Sequence, residues 1–344
     1  MPKRLNNIFY DKLKFKNMYE AYKRAAKNKH KCKEVIIYEL DLANNILKAL
    51  KQLYYGTYQI GEYRKFKIYE PKERIIQSLP FCDRVVQQWY VEEFIKKIFV
   101  PKFIQDTYAC IENRGVHKGV KKVKKYMYEY SKKNPEFYVL KCDISKFFYS
   151  IDKEILYKII SRYVKDKYFL NLTKKFIYHD NERIGIPIGN YTSQYFANIY
   201  LNELDHFIKE KMKIKYYVRY MDDFILLLEN KEKCQEVLQK IKNFLDTKLK
   251  LKLNKKTNYF KNKQGVNFCG YKIYSTHIKL KKENKKKIRK KIKTWNKLYY
   301  KKKLNLRQTT LRLNSWIGHA KNADTFLLID KTVRMCKWLY NERM

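Results

Sequence analysis

Acid is scarce in this chain. Against 78 Lys and Arg stand 34 Asp and Glu, a formal net charge of +44 over 344 residues. The excess is spread along the whole length, and such a field draws polyanions, nucleic acid first among them. A merely solubilising surface is the alternative. None of the seven cysteines (Cys32, Cys82, Cys110, Cys142, Cys234, Cys269 and Cys336) forms a C-x-x-C pair. That excludes the usual zinc-site and disulfide-framework patterns and fits reduced thiols. The opening "MPKRLNNIFYDKL" carries no apolar signal-peptide core, and no apolar run approaches membrane-spanning length. A soluble, cytoplasmic protein with no membrane partner is therefore expected. No internal repeat occurs. Hydrophobic residues make up 45%, so the chain folds around a core and is not a basic disordered tail.

Residues 1–60 read as helical and basic, with "EVIIYELDLANNILKALKQLYYG" at helical spacing. "YRKFKIYEPKERIIQSLPF" alternates like two strands around a turn at Pro71. A helix follows in "CDRVVQQWYVEEFIKKIFV", with Asp83 as its N-cap, and another in "VKKVKKYMYEYSKK". "FYVLKCDISKFFYSI" reads as strand and "DKEILYKIISRYV" as helix. "GIPIGNYTSQYFANIYLNELDHFIKEKM" opens as a turn and becomes a long helix. Strand, tight turn and strand follow in "YVRYMDDFILLLEN", then the helix "KEKCQEVLQKIKNFLDTKL" and short strands in "LKLNKKTNYF" and "VNFCGYKIYS". From Lys279 the chain is helical. Lys281 to Lys303 holds thirteen Lys and Arg against one acid, above Ile288, Ile292, Trp295 and Tyr299 at helical spacing. The order describes an α+β domain, a sheet backed by helices.

Asp222 and Asp223 interrupt the apolar "YVRYMDDFILLLEN" with almost nothing nearby in sequence to neutralise them. Turns favour aspartate, yet adjacent like charges repel unless a cation offsets them. Asp143 sits between apolar neighbours in a second strand and alone would be an ordinary strand-end aspartate. Together, carboxylates from neighbouring strand ends can hold two divalent ions about 3.5–4 Å apart for in-line phosphoryl transfer. Oxygen-only ligands favour Mg²⁺, with Mn²⁺ as a substitute.

"YMDD", with "DISKFF" before it, "GIPIGNYTSQYFANIYLNELD" between and "FCGY" after, resembles the motif series of reverse transcriptases. The resemblance implies a right-hand polymerase: an N-terminal helical part of the fingers at 1–60, fingers at 61–136, palm at 137–277 with a fingers insertion near 161–187, and a helical thumb at 278–344. It implies an RNA-directed DNA polymerase in which Asp143 and Asp222 hold both metals, Asp223 assists and the Ile144 carbonyl adds a ligand. Phe148, five after the first aspartate, corresponds to the aromatic gate against a ribose 2′-OH, so dNTPs are the implied substrate and an RNA polymerase is disfavoured. Arg74, with Lys67 or Lys72 beside it, matches the fingers cation on the triphosphate. Ile188, Gly189 and Gln194 fall at the nucleotide-facing turn and helix. Lys256 matches the lysine proposed to protonate pyrophosphate. Phe268, Cys269, Gly270 and Tyr271 occupy the primer-grip place. Lys285, Lys286, Arg289 and Lys293 would track template and primer phosphates.

Many reverse transcriptases carry Pro-Gln-Gly before the long helix; this chain has Pro187-Ile188-Gly189. "IPIGNYTSQYFANIYLNELDHF", with "LPFCDRVVQ" upstream, resembles the enzymes of diversity-generating retroelements from bacteria, archaea or phages. These make adenine-mutagenic cDNA from a template-repeat RNA and work with a basic, oligomeric accessory protein. Glutamine at 188 would offer a hydrogen bond near the base pair, whereas isoleucine offers only shape. A CRISPR-associated or phage-defence enzyme is the alternative, and a non-catalytic RNA-binding module is a further one. A group II intron maturase would usually add a further region. The Asn-Ala-x-x-His and Val-Thr-Gly motifs of retron enzymes do not occur.

Overall fold

A computed structural model describes residues 4–69, 73–180 and 182–340. In chain order its strands are β1 (Arg64–Ile68), β2 (Arg74–Ser78), β3 (Tyr138–Asp143), β4 (Tyr217–Tyr220), β5 (Asp223–Leu228), β6 (Asn258–Lys261), β7 (Val266–Phe268), β8 (Tyr271–Ile273) and β9 (Ile278–Leu280). Among the described residues they form three sheets: β1-β2, then β4-β5-β3-β6, then β7-β8-β9. The β1–β2, β3–β6, β4–β5, β7–β8 and β8–β9 pairs are antiparallel. Helices and antiparallel strands together make the chain α+β. No helix among the described residues is long and apolar enough to cross a membrane.

The chain divides into two compact units. The first comprises Met1–Ile111, Asp143–Lys215 and Gln239–Lys255. Its centre is the helix Tyr191–His206, which is buried almost all round, from Thr192 to Asp205. A helix so enclosed needs polar as well as apolar anchors. Asn198 Nδ2 donates to the Ala109 carbonyl at 2.8 Å, and the Tyr200 hydroxyl donates to the Leu249 carbonyl at 2.6 Å. Asp152 and Asp166 start the helices Lys153–Ser161 and Lys167–Ile177 by accepting from backbone N–H groups of the first turn. The expected single run through "EVIIYELDLANNILKALKQLYYG" is two helices, Lys33–Leu40 and Leu42–Tyr54, broken where Asp41 takes φ −135°.

Asp83 is not an N-cap. The helix Phe81–Tyr90 begins two residues earlier, with Pro80 before it. Asp83 lies in the first turn, buried, and accepts from the Tyr58 hydroxyl at 2.7 Å and from Gly61 N at 3.2 Å. Burial raises its carboxyl above the ordinary aspartate range.

The second unit comprises Glu112–Cys142, Tyr216–Leu238 and Lys256–Met344. Val120, Val123, Tyr126, Met127 and Tyr130 make the buried face of the helix Val116–Lys133. Tyr126 and Tyr130 meet Tyr216 edge-on at 5.1 and 5.0 Å between ring centroids. Beyond β9 come the helices Lys282–Tyr300, Leu306–Ala320 and Phe326–Arg334. Ile288 and Ile292 join Leu313, Cys336 and Trp338 in one core cluster, with Trp295 and Tyr299 packed on it, as the spacing beneath the lysines predicts. β9 itself is a departure: "IKL" was expected at the start of the helical region, but it pairs with β8 and the first helix begins at Lys282. Three residues are too short for an alternation to be legible.

Candidate active site

The Asp222–Asp223 segment is a tight turn. Tyr220 pairs with Asp223, which leaves Met221 and Asp222 to reverse the chain. Met221 has φ 56° at the first central position, where type II′ turns usually place glycine. A left-handed non-glycine residue stores strain of about 1–3 kcal/mol and needs support from its surroundings. Arg219 supplies part of that support: fully buried, it donates Nη1 to the Met221 carbonyl at 3.1 Å. Asp222 and Asp223 are both half-buried.

The want of a neutralising partner for the acid pair holds only along the sequence. Lys141, on β3, donates to both carboxylate oxygens of Asp223 at 2.8 Å and to the Asn267 carbonyl on β7 at 2.7 Å. Sequence reasoning missed it, although strand alternation puts Lys141 on the same side of β3 as Asp143, two residues on. β3 lies between β5 and β6 in its sheet and ends at Asp143.

"FCGY" is the β7–β8 hairpin. Phe268 pairs with Tyr271, and Cys269 and Gly270 form the turn with φ 46° and 90°, the double positive φ of a type I′ connection. Phe268 and Tyr271 are fully buried. The Tyr271 hydroxyl lies 2.8 Å from the His319 carbonyl, to which it donates, and 2.9 Å from His319 Nδ1. Burial, then the charge of Asp223, pushes the Cys269 thiol up to about 12. Lys256 is exposed in the turn before β6. Lys285 is half-buried on the helix Lys282–Tyr300, and Lys286, Arg289 and Lys293 are exposed there.

A second group of sequence-nominated residues meets in the first unit. After Asp143, whose carbonyl accepts from Asn254 N at 2.7 Å, Ile144 bridges to Leu253 and is buried. The strand does not run on through "SKFFYSI" as expected. Lys146 turns left-handed at φ 46°, and Phe147–Ser150 is helical. The carbonyl of Phe148 accepts from Ile186 N at 2.8 Å, and that of Ile151 from Gly185 N at 2.8 Å. The turn Ile188-Gly189 is held in the same way: Gln77 N on β2 donates to the Ile188 carbonyl at 2.8 Å. Gly189 has φ 121°, and a Cβ there would meet Ile76 Cγ2 at 2.8 Å and the Gln77 carbonyl oxygen at 2.9 Å. Arg74 opens β2 and is exposed; Lys67 on β1 pairs with Glu73 at 2.8 Å. Gln194 is exposed in the first turn of its helix. Lys72 lies outside the described residues.

Residues that no sequence pattern flagged make further buried contacts in the first unit. Lys153, with no exposed side-chain surface, pairs with Asp180 and donates to the Glu182 carbonyl at 2.7 Å. His179, its pKa lowered chiefly by burial, contacts Asp180 at 2.8 Å and lies edge-on to Tyr63. Asn190 Nδ2 donates to the Tyr63 hydroxyl at 2.7 Å.

Among the described residues no group of three or more His, Cys, Asp and Glu side chains is disposed as a metal cage. Asp143, in the first unit, and Asp222 and Asp223, in the second, offer only hard carboxylate oxygens, donors that suit a divalent metal ion. One of the three is already engaged by an ammonium.

These motifs lie within residues 64–273, the stretch that matches the reverse transcriptase (RNA-dependent DNA polymerase) family. The chain belongs to that family, whose members use divalent metal ions. Among its relatives is the group II intron-encoded protein LtrA of Lactococcus lactis subsp. cremoris, 25% identical over 307 residues, covering 66% of this chain and 49% of that protein. The putative COX1/OXI3 intron 2 protein of Saccharomyces cerevisiae is 23% identical over 282 residues, covering 63% of this chain and 31% of that one. The chain thus spans about half the length, or less, of these two curated relatives. Of solved structures, apo telomerase from Candida tropicalis, truncated from its C-terminal domain, aligns with TM-score 0.47 at 15% identity, over 69% of this chain and 60% of that chain.

Proposed function

We propose that the chain copies RNA into DNA from dNTPs, and does so as the reverse transcriptase of a diversity-generating retroelement. The observation that carries the polymerase reading is the strained, Arg219-supported turn bearing Asp222 and Asp223, on a strand next to the one ending in Asp143, in a chain of this family. In this reading Asp143 and Asp222 would hold two divalent ions, Mg²⁺ with Mn²⁺ as substitute, and the Ile144 carbonyl would assist. Bound there, the ions supply activation of the primer hydroxyl and neutralisation of the leaving pyrophosphate. The protein's own groups do the rest. Arg74 and Lys72 meet the triphosphate, Phe148 excludes a 2′-OH, and Ile188, Gly189 and Gln194 border the nascent pair. Lys256 gives its proton to pyrophosphate, and Phe268 to Tyr271 hold the primer end. Lys285, Lys286, Arg289 and Lys293 lie along the backbone phosphates.

Ile188 supports the retroelement type. Its side chain cannot hydrogen-bond, so the pair is checked by shape alone. That type also implies a basic, oligomeric accessory protein as partner. The second reading is an intron-encoded enzyme, favoured by the likeness to the two intron-encoded relatives.

Primer extension on RNA and DNA templates with Mg²⁺ or Mn²⁺, beside Asp222→Ala/Asp223→Ala and with products sequenced, tests both. Extension lost in the double variant, with errors concentrated opposite template adenines, is expected. Faithful extension moves the assignment to the second reading. No extension on any template, with the accessory protein supplied, overturns the polymerase.

A further inference from the structure

The helices Lys282–Tyr300 and Leu306–Ala320 leave a groove of about 630 Å³ between them, a size typical of small-ligand sites. Trp295 and Trp316 line it, both half-buried and packed on the core cluster that holds Ile292. Lys287, Lys291 and Arg312 line it too, all three exposed, and among the described residues no acid does. An adjoining space of about 420 Å³ reaches Lys290 and Thr294 and shares Lys291, Trp295 and Arg312 with the groove. Lys286, Arg289 and Lys293, proposed for the backbone phosphates, line neither space. Cations and flat rings without an acid suit a polyanion whose bases are free to stack. A duplex keeps its bases on each other and offers none.

His319, also on the groove wall, adds an acceptor. The Tyr271 hydroxyl donates to the His319 carbonyl at 2.8 Å and lies 2.9 Å from His319 Nδ1. With its proton spent on the carbonyl, that hydroxyl accepts from Nδ1–H, so the neutral ring carries its lone pair on Nε2. Burial, then the charge of His117, holds the His319 pKa below the ordinary histidine range.

We infer that this groove binds an unpaired stretch of RNA, with Trp295 and Trp316 stacking on bases, Lys287, Lys291 and Arg312 meeting phosphates, and His319 Nε2 accepting a ribose 2′-hydroxyl. That hydroxyl is the group an imidazole lone pair finds on RNA and not on DNA. The strand at hand is also RNA, because the DNA made by an RNA-directed polymerase is paired with its template as it forms. The inference rests on the polymerase reading for this last point alone. The groove retains the unpaired strand by contacts separate from the acids that would do the chemistry.

Tryptophan fluorescence of the full chain, titrated with short oligo(U) and oligo(dU), tests this. Raised salt suppresses the pull of the chain's general positive charge. Both oligonucleotides quench the emission, and oligo(U) binds about fivefold tighter, the worth of one hydrogen bond. His319→Phe abolishes that preference and leaves oligo(dU) affinity near wild type. Arg312→Ala and Lys291→Ala each weaken both oligonucleotides about fivefold, whereas Lys297→Ala, which removes a charge from the same helix outside the groove, does not. Equal binding of the two oligonucleotides by the wild type, or a preference that survives in folded His319→Phe, overturns the inference. So does a loss in Lys297→Ala as large as that in Arg312→Ala, or displacement of oligo(U) by an equal concentration of a glutamate-rich peptide. If His319→Phe does not fold, photocrosslinking of 5-iodouridine RNA decides: adducts at Trp295 or Trp316 are expected, and adducts only elsewhere overturn the site. Because binding is read without turnover, a chain that shows this pattern but extends no primer fails the polymerase reading alone.

Discussion

Ile188 shows how much one side chain can be separated from the backbone that carries it. Its carbonyl accepts from Gln77 N, and its side chain is only half-buried. Ile188→Gln or Ile188→Asn therefore leaves the turn's backbone tether in place and adds a hydrogen-bonding group where there was shape alone. Misincorporation opposite template adenines should fall in these variants, read by sequencing extension products. An unchanged adenine error spectrum would sink the proposed part of Ile188 in fidelity. Asp83 teaches the opposite lesson. Its residue type suggested a cap, but burial and two long-range donors, Tyr58 and Gly61, decided its use. Sequence names the functional group; only the neighbours say which partner it meets.

The β1–β2 hairpin and the Ile188-Gly189 turn behave as a joined pair of elements. Beyond the Gln77–Ile188 hydrogen bond, the backbone of Gly189 approaches β2 so closely that a methyl group has no room, at a φ that side chains rarely adopt. Gly189→Ala should push the turn from the strand that begins at Arg74. Strain of about 1–3 kcal/mol is then relieved by opening the contact, and KM for the incoming nucleotide rises roughly tenfold, the equivalent of about 1.4 kcal/mol. Steady-state extension kinetics beside a melting curve separate the cases. A large fall in melting temperature with unchanged KM would make the contact structural only. The hairpin was legible from the alternation in "YRKFKIYEPKERIIQSLPF". Its tether to the turn was not, because the two segments are far apart in sequence and joined through main-chain atoms that any residue possesses.

Over the whole molecule the charge of +44 predicts strongly salt-dependent nucleic-acid binding. Lys286, Arg289 and Lys293 are exposed on the helix Lys282–Tyr300, while Ile288 and Ile292 face its core. Alanine at Lys286 or Arg289 should weaken binding about equally for all sequences and lower the slope of log K against log salt by about 1 each. Fluorescence anisotropy across a salt series measures this. A slope unchanged by both substitutions would remove these residues from the phosphate track. The helix core protects the experiment, since neither side chain contributes to the buried cluster.

The sequence by itself determined the family, the acid pair and its turn, the long helix after Gly189 and the apolar stripe under the lysines, whereas "VNFCGYKIYS", read as one short strand, is a hairpin turning at Cys269 and Gly270. Each is a residue type at a short fixed spacing, which periodicity and motif order can read. The tertiary structure alone decided that Lys141 holds Asp223 across 82 residues of sequence, that Gln77 holds Ile188, and that the buried Lys153 pairs with Asp180. Those contacts depend on which strands become neighbours, and strand order follows from the packing of the whole core.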